Sequence, residues 1–143
     1  MKIGFQIKRF KGVTLIELLV VLTIIAILAR VAMPSYQAYV VKGSRAAVQV
    51  ELLQLANLQE KIYLNSSKYS TSLGNAYNGT DASTNGLGSS ETSKDGRYTL
   101  SLSTPTDQSF TLTATPVPEK SQANDGSLSI SQSGQKMWGT SHW

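Results

Sequence analysis

The stretch Lys11-Gly12-Val13-Thr14-Leu15-Ile16-Glu17-Leu18-Leu19-Val20 (KGVTLIELLV, residues 11–20) decides how the chain is read. It opens an apolar run from Val13 to Ala29, 17 residues holding one charge, Glu17, and two threonines, Thr14 and Thr23. At about 1.5 Å per residue the run makes about 26 Å of helix, the short end of what a hydrocarbon core of about 30 Å requires. Val31, Ala32 and Met33 extend it past Arg30, whose aliphatic stem can lie along lipid while its guanidinium reaches the interface. One membrane span is expected. Glu17 then needs a reason, because a carboxylate inside a span costs about 2.5–3.5 kcal/mol on insertion scales and points to a functional partner.

Upstream of the run, Lys2, Lys8, Arg9 and Lys11 are the only charged residues before Gly12. The formal net charge is +4, from 13 Lys and Arg against 9 Asp and Glu. With those four bases set aside, the rest of the chain is balanced. The basicity is therefore a topology signal that keeps the N-terminus in the cytoplasm, rather than a nucleic-acid footprint spread over the body. A secretory signal peptide has the same basic-then-apolar order, but Arg30 and Met33 stand where a small-x-small cleavage site belongs. An uncleaved anchor accounts for everything except Glu17. A cut between Gly12 and Val13 would create an α-amino group four residues from Glu17, charged near neutral pH. The carboxylate could pair with that amine in its own chain, or with the amine of a neighbouring subunit and so fix their register.

Several chemistries are excluded. There is no cysteine, and one histidine, His142, next to the end; no thiolate or multi-histidine metal site can form. Asp81, Asp95, Asp107 and Asp125 are scattered without the ligand spacing of a calcium loop. No nucleophile–base pair and no phosphate loop is recognisable, so neither an enzyme nor a cofactor or metal is expected. Asn65-Ser66-Ser67 and Asn78-Gly79-Thr80 match the glycosylation acceptor pattern. Lys42, Arg45, Lys61 and Lys68, with Tyr39 and Tyr63 nearby, read as a solvated helix face in preference to a nucleic-acid strip.

Beyond the run, Pro34 lacks an N–H and should kink or locally open the helix, and Gly43-Ser44 is a weak point. Val48, Leu52, Leu55 and Ile62 fall within about 80° of one another at 100° per residue, an apolar stripe for seating a small sheet. Arg45, Gln49, Gln54, Asn57 and Lys61 take other faces. Helix is expected from about residue 14 to about 65. Residues 66–96, rich in Ser, Thr, Gly and Asn, read as a long loop with one short element around Tyr77. Alternation then predicts strands at 97–103, 109–115 and 127–132. Tyr98, Leu100 and Leu102, Phe110, Leu112 and Ala114, and Leu128 and Ile130 should face the core. Residues 104–108 form a hairpin loop; Pro116, Pro118 and Asn124-Asp125-Gly126 mark a longer connection. This is an α+β chain with an antiparallel sheet on a helix.

Gly12-Val13, the Thr14-Leu15-Ile16-Glu17 that follows, the apolar run and Pro34, 22nd counted from Val13, resemble the N-terminal segment of type IV pilins. YTLSLS (98–103), FTLTATP (110–116) and NDGSLSISQSGQKMW (124–138) resemble PilE-type minor pilins of Gram-negative bacteria. The resemblance implies that residues 1–12 are a cytoplasmic leader removed by prepilin peptidase after Gly12, with Val13 then N-methylated. Residues 13–40 would be the transmembrane and assembly helix, with Glu17 the assembly residue and Pro34 the kink. Residues 41–143 would be the periplasmic or extracellular domain, the helix lying on a three- to four-stranded sheet. It further implies a structural, minor subunit of a type IV pilus serving pilus assembly, twitching motility, adhesion or DNA uptake. Its partners would be other pilin subunits, the peptidase and the inner-membrane assembly platform. Before assembly it would cross the inner membrane once; afterwards it would sit in a surface fibre. A type II secretion pseudopilin and a DNA-binding uptake pilin, with DNA as a further partner, are the alternatives. Two features depart from the family. Val13 replaces the usual Phe, and the C-terminal cysteine pair is missing: the chain ends Ser141-His142-Trp143, and Asn124 to Ser127 occupies the first cysteine's region. Closing a loop of about 15 residues is worth up to about 3 kcal/mol. The last dozen residues should therefore be looser unless Trp138 and Trp143 pin them.

Overall fold

In the computed structural model, which describes residues 12–80, 82 and 85–143 with backbone alone at Pro105, one helix, α1, runs from Leu15 to Ser66. The basic residues Lys2, Lys8, Arg9 and Lys11, and also Asp81, lie outside the described residues. The chain divides into two units between Tyr36 and Gln37.

In the first unit α1 starts where a cap stops it from fraying. Thr14 Oγ1 accepts the Glu17 backbone N–H at 3.3 Å, which satisfies one of the orphan donors of a helix start. Glu17 lies in the first turn, at the positive end of the helix dipole. Deeper in the apolar run, Thr23 Oγ1 donates to the Leu19 carbonyl at 2.8 Å, so its hydroxyl is satisfied without water. Pro34 sits inside α1.

In the second unit the remainder of α1 turns a stripe inward. Val48, Leu52, Leu55 and Ile62 are buried as expected, joined by Ala56 and by Gln59. Opposite them lies an antiparallel sheet of order β1-β2-β3-β4-β5: β1 Tyr98–Thr106, β2 Ser109–Pro116, β3 Leu128–Ser131, β4 Lys136–Trp138 and β5 Ser141–His142. The register sets Leu100 against Ala114, Leu102 against Leu112, Leu112 against Ile130 and Leu128 against Trp138. Tyr98, Leu100, Phe110, Leu112, Ala114, Leu128 and Ile130 are all in the core, with Leu102 half-buried at its margin.

The α+β architecture is the expected one, with three differences of detail. The sheet has five strands where three to four were expected: β4 and β5 are only 3 and 2 residues long, too short for alternation to register. β1 continues through the expected 104–108 loop, with a register shift between Ser103 and Thr106; the turn shrinks to Asp107-Gln108. The loop after α1 holds no element at Tyr77 beyond an isolated bridge between Ala76 and Gly86, yet Tyr69, Leu73, Ala82 and Leu87 from it are buried in the core. Gln59 anchors its start: its amide donates to the Ser70 carbonyl at 2.9 Å and accepts the Ser70 N–H at 2.8 Å, as a neighbouring strand would.

Candidate functional site

The first unit offers surface chemistry and little else. Every large apolar side chain from Val13 to Met33 is at least 50% exposed, and Leu15 reaches 85%. Such an area exceeds what a soluble chain leaves in water, and this helix is long and apolar enough to cross a membrane. Glu17 is the lone acid in it. Its nearest partner is Thr14, whose hydroxyl is placed 3.5 Å from Glu17 Oε2. Thr14 and Glu17 therefore form an S/T-x-x-E start, a capping signal legible in the sequence but missed there. Gly12, Val13 and the expected assembly residue Glu17 lie within six residues, the first two just ahead of this helix and Glu17 in its first turn, all exposed. Pro34 lies far along it.

The second unit contains a polar knot that no sequence signal announced. Asp125, from the β2–β3 connection, is buried. Arg45 of α1 grips its carboxylate in a forked ion pair through Nε and Nη2. Tyr98 of β1 donates its hydroxyl to Asp125 Oδ2 at 2.6 Å. Trp138 of β4 donates its indole N–H to the Asp125 carbonyl, and the Arg45 guanidinium lies 3.6 Å from the centre of that indole ring. Gln122, fully buried, donates to the Tyr98 hydroxyl at 2.9 Å and to the Val41 carbonyl at 3.1 Å. Burial alone would raise the Asp125 carboxyl, but the bonds from Arg45 and Tyr98 outweigh it and hold the group below the usual carboxylate range. The Tyr98 phenol is pushed well up, first by burial and then by its bond to Asp125.

This knot takes in part of the stretch where the resemblance places the first cysteine, and none of the second cysteine's position, where His142 is exposed. Asp125 occupies the first cysteine's region, and Trp138 ties β4 to it. Trp138 and Trp143 both pack against the core, so the C-terminal strands are pinned. Arg45 therefore does not belong to a solvated face, and the other expected basic residues do not converge either. Lys68 pairs with Asp107 at 3.0 Å. Tyr63 stacks on Tyr69 at 4.6 Å and donates its hydroxyl to Gln108. Asp95 is held by Ser44, Ser93 and the Arg97 N–H. Among the described residues no group of three or more potential metal ligands comes together. His142 is exposed.

Residues 34–129 match the family described as "Type IV minor pilin ComP, DNA uptake sequence receptor". Residues 7–29 match the prokaryotic N-terminal methylation motif. The chain belongs to the type IV pilins. This pilin is 39% identical over 99 residues to the type IV major alpha-pilin of Moraxella bovis, which covers 65% of the chain and 57% of the relative. It is 41% identical over 58 residues to the type IV major fimbrial protein FimA of Dichelobacter nodosus, 41% of the chain and 36% of the relative. It is 52% identical over 42 residues to fimbrial protein Q of Moraxella bovis, 29% of the chain and 27% of the relative. The pilin thus spans 57% or less of the length of the curated relatives it matches. Its family is one of structural pilins.

Proposed function

We propose that this pilin is a minor structural subunit of a type IV pilus. In this reading residues 1–12 are cleaved after Gly12 by prepilin peptidase and Val13 is N-methylated. Residues 13–40 then hold the chain across the inner membrane, N-terminus inside, and pass from lipid into a fibre of pilin subunits, on the assembly platform. Residues 41–143 face the periplasm and then the cell surface. The observation that carries this is the apolar run from Val13 to Met33, in which every large apolar side chain is at least half exposed and one carboxylate stands near the head. Burial of that surface between neighbouring spines supplies cohesion, and Glu17 against the Val13 amine of a neighbour supplies register. Pro34 gives the spine a place to bend.

Intact mass spectrometry of the chain from sheared fibres and from inner membranes tests it. The expected mass in fibres is residues 13–143 plus one methyl group, at low abundance relative to the main subunit. A chain retaining residues 1–12 in cells with working peptidase would overturn the reading.

The match of residues 34–129 to the DNA-uptake receptor family favours a second element, that the pilus captures DNA. The exposed Lys42, Lys61, Lys94 and Lys120 are candidates for phosphate contact. Gel shift of duplex DNA by the detergent-solubilised full chain should weaken steeply with salt. Absence of any shift at low salt would remove DNA from the proposal. Loss of secretion, with transformation and twitching intact, in a strain lacking the chain would instead support the pseudopilin alternative.

A further inference from the structure

β1 forms one edge of the sheet, and its outer side is covered over only part of its length. Tyr98 and Leu100 turn their backbone groups away from β2. The Tyr98 carbonyl accepts the Ser93 N–H at 2.9 Å, and the Leu100 N–H donates to the Glu91 carbonyl at 2.7 Å. Residues 91–93 thus act as a short extra strand over the start of β1, with Thr92 opposite Thr99. Backbone direction alternates along a strand, so the Leu100 carbonyl and both the N–H and carbonyl of Leu102 point the same way. Among the described residues none of these three bonds to another backbone group outside the sheet.

They open onto a cleft of about 470 Å³ lined by Thr99 to Leu102 on one side, Thr71 to Gly74 on the other, and Glu91. The far wall does not close it. The Ser72, Leu73 and Gly74 carbonyls are engaged by the Leu87, Ser89 and Gly88 N–H groups. The uncovered stretch of β1, from the Leu100 carbonyl to Thr104, spans about 13 Å at the rise of a strand, room for three to four residues of extended chain. A row of peptide donors and acceptors at a strand edge is complementary to another strand. Ligands read by side chains need different groups. The charge in the cleft is Glu91, exposed and without a salt bridge among the described residues.

From this edge and this charge we infer that the outer side of β1 from Leu100 to Thr104 binds an extended segment of a partner polypeptide carrying a basic side chain. The segment continues the line of residues 91–93 and adds a strand to the sheet. It takes its main-chain bonds from Leu100 and Leu102 and sets its basic side chain against Glu91. This site is independent of the apolar helix and of DNA capture.

The test uses the full chain in detergent micelles and an acetylated eight-residue peptide of alternating threonine and valine with one central lysine. Amide exchange read by NMR should slow at least tenfold at Leu102 when the peptide saturates, with Thr99 and Ser101 unchanged. Glu91→Gln should weaken the peptide roughly three- to tenfold. Leu102→Pro removes the outward donor at an edge position where proline is tolerated, and should abolish binding. A peptide N-methylated at every residue, which blocks both of its edges, should not bind the unaltered chain, which keeps the test sound should the proline variant fail to fold. Unchanged exchange at Leu102, equal binding of the N-methylated peptide, or protection of Leu102 by duplex DNA alone would overturn the inference.

Discussion

Between Leu15 and Met33 every large apolar side chain of α1 is at least 50% exposed, whereas Val48, Leu52 and Ile62 on the same helix are exposed by 1% or less. The backbone is the same in both regions; what differs is where the partner is. Val48, Leu52 and Ile62 meet Tyr98, Phe110 and Leu128 of the same chain. The earlier region has no apolar partner among the described residues of this molecule, so its burial must come from lipid or from other chains. Stability of the globular unit and competence for assembly should therefore be separable by mutation.

The strongest way to break the comparison is Glu17→Ala. Incorporation into fibres should fall at least tenfold while membrane insertion and the thermal unfolding of residues 37–143 stay unchanged. Glu17→Gln sharpens it, because glutamine can also serve in the capping pattern. If Glu17→Gln assembles normally, the carboxylate is a helix cap and no more. Next in size is Asp125→Ala. Removing one partner of a buried ion pair costs about 3–5 kcal/mol; Arg45 keeps some contact with water, with 21% of its side chain exposed, so about 3 kcal/mol is expected. Urea unfolding should show that loss in the globular unit, with cleavage and insertion intact.

Acid tests the same knot without mutation. The Asp125 and Asp95 carboxyls lie below their ordinary 3.8 in the folded chain, where bonds from Arg45 and Tyr98, and from Ser44 and Ser93, overcome the effect of burial. A depressed folded value means that the stabilisation is present above about pH 4 and is lost as pH falls through the native values. The urea midpoint should fall below pH 4, and Asp125→Asn should flatten that fall. At the alkaline end, burial and the bond to Glu60 push the Tyr69 phenol up to about 12 from 10.0. Stability should hold below about pH 10 and decline as pH rises through 12. The smallest effect is Gly126→Ala. Gly126 has φ of 86°, and a Cβ there would lie 3.2 Å from Trp138 Nε1. A loss of about 1–2 kcal/mol is expected, read by the same unfolding curve.

Much of this was legible from residues alone because it rests on local periodicity. The span from Val13, the stripe from Val48 to Ile62 and the faces of β1 to β3 follow from spacings of 3.6 and 2 that any window of sequence displays. The Thr14–Glu17 cap was equally local and was simply not read. Other features had no local signature. Tyr69, Leu73, Ala82 and Leu87 become core residues from a polar loop because Gln59 holds the start of that loop against the helix. β4 and β5 exist because the sheet supplies a neighbour for segments too short to show a pattern.

The pairing of Arg45 with Asp125 is the clearest case, since 80 residues separate them. The amino-acid order by itself determined an apolar helix with one acid at its head, a second helical stretch with one apolar stripe, and alternating strands to cover it. Each is a property of neighbours along the chain. Only the tertiary structure decided that a cysteine-free C-terminus would be fastened by Arg45, Tyr98, Asp125 and Trp138. It also decided that half of β1's outer edge would be left open. Both depend on which groups the fold brings within 3 Å of each other, and hydrogen bonds and ion pairs form at that range whatever the distance along the chain.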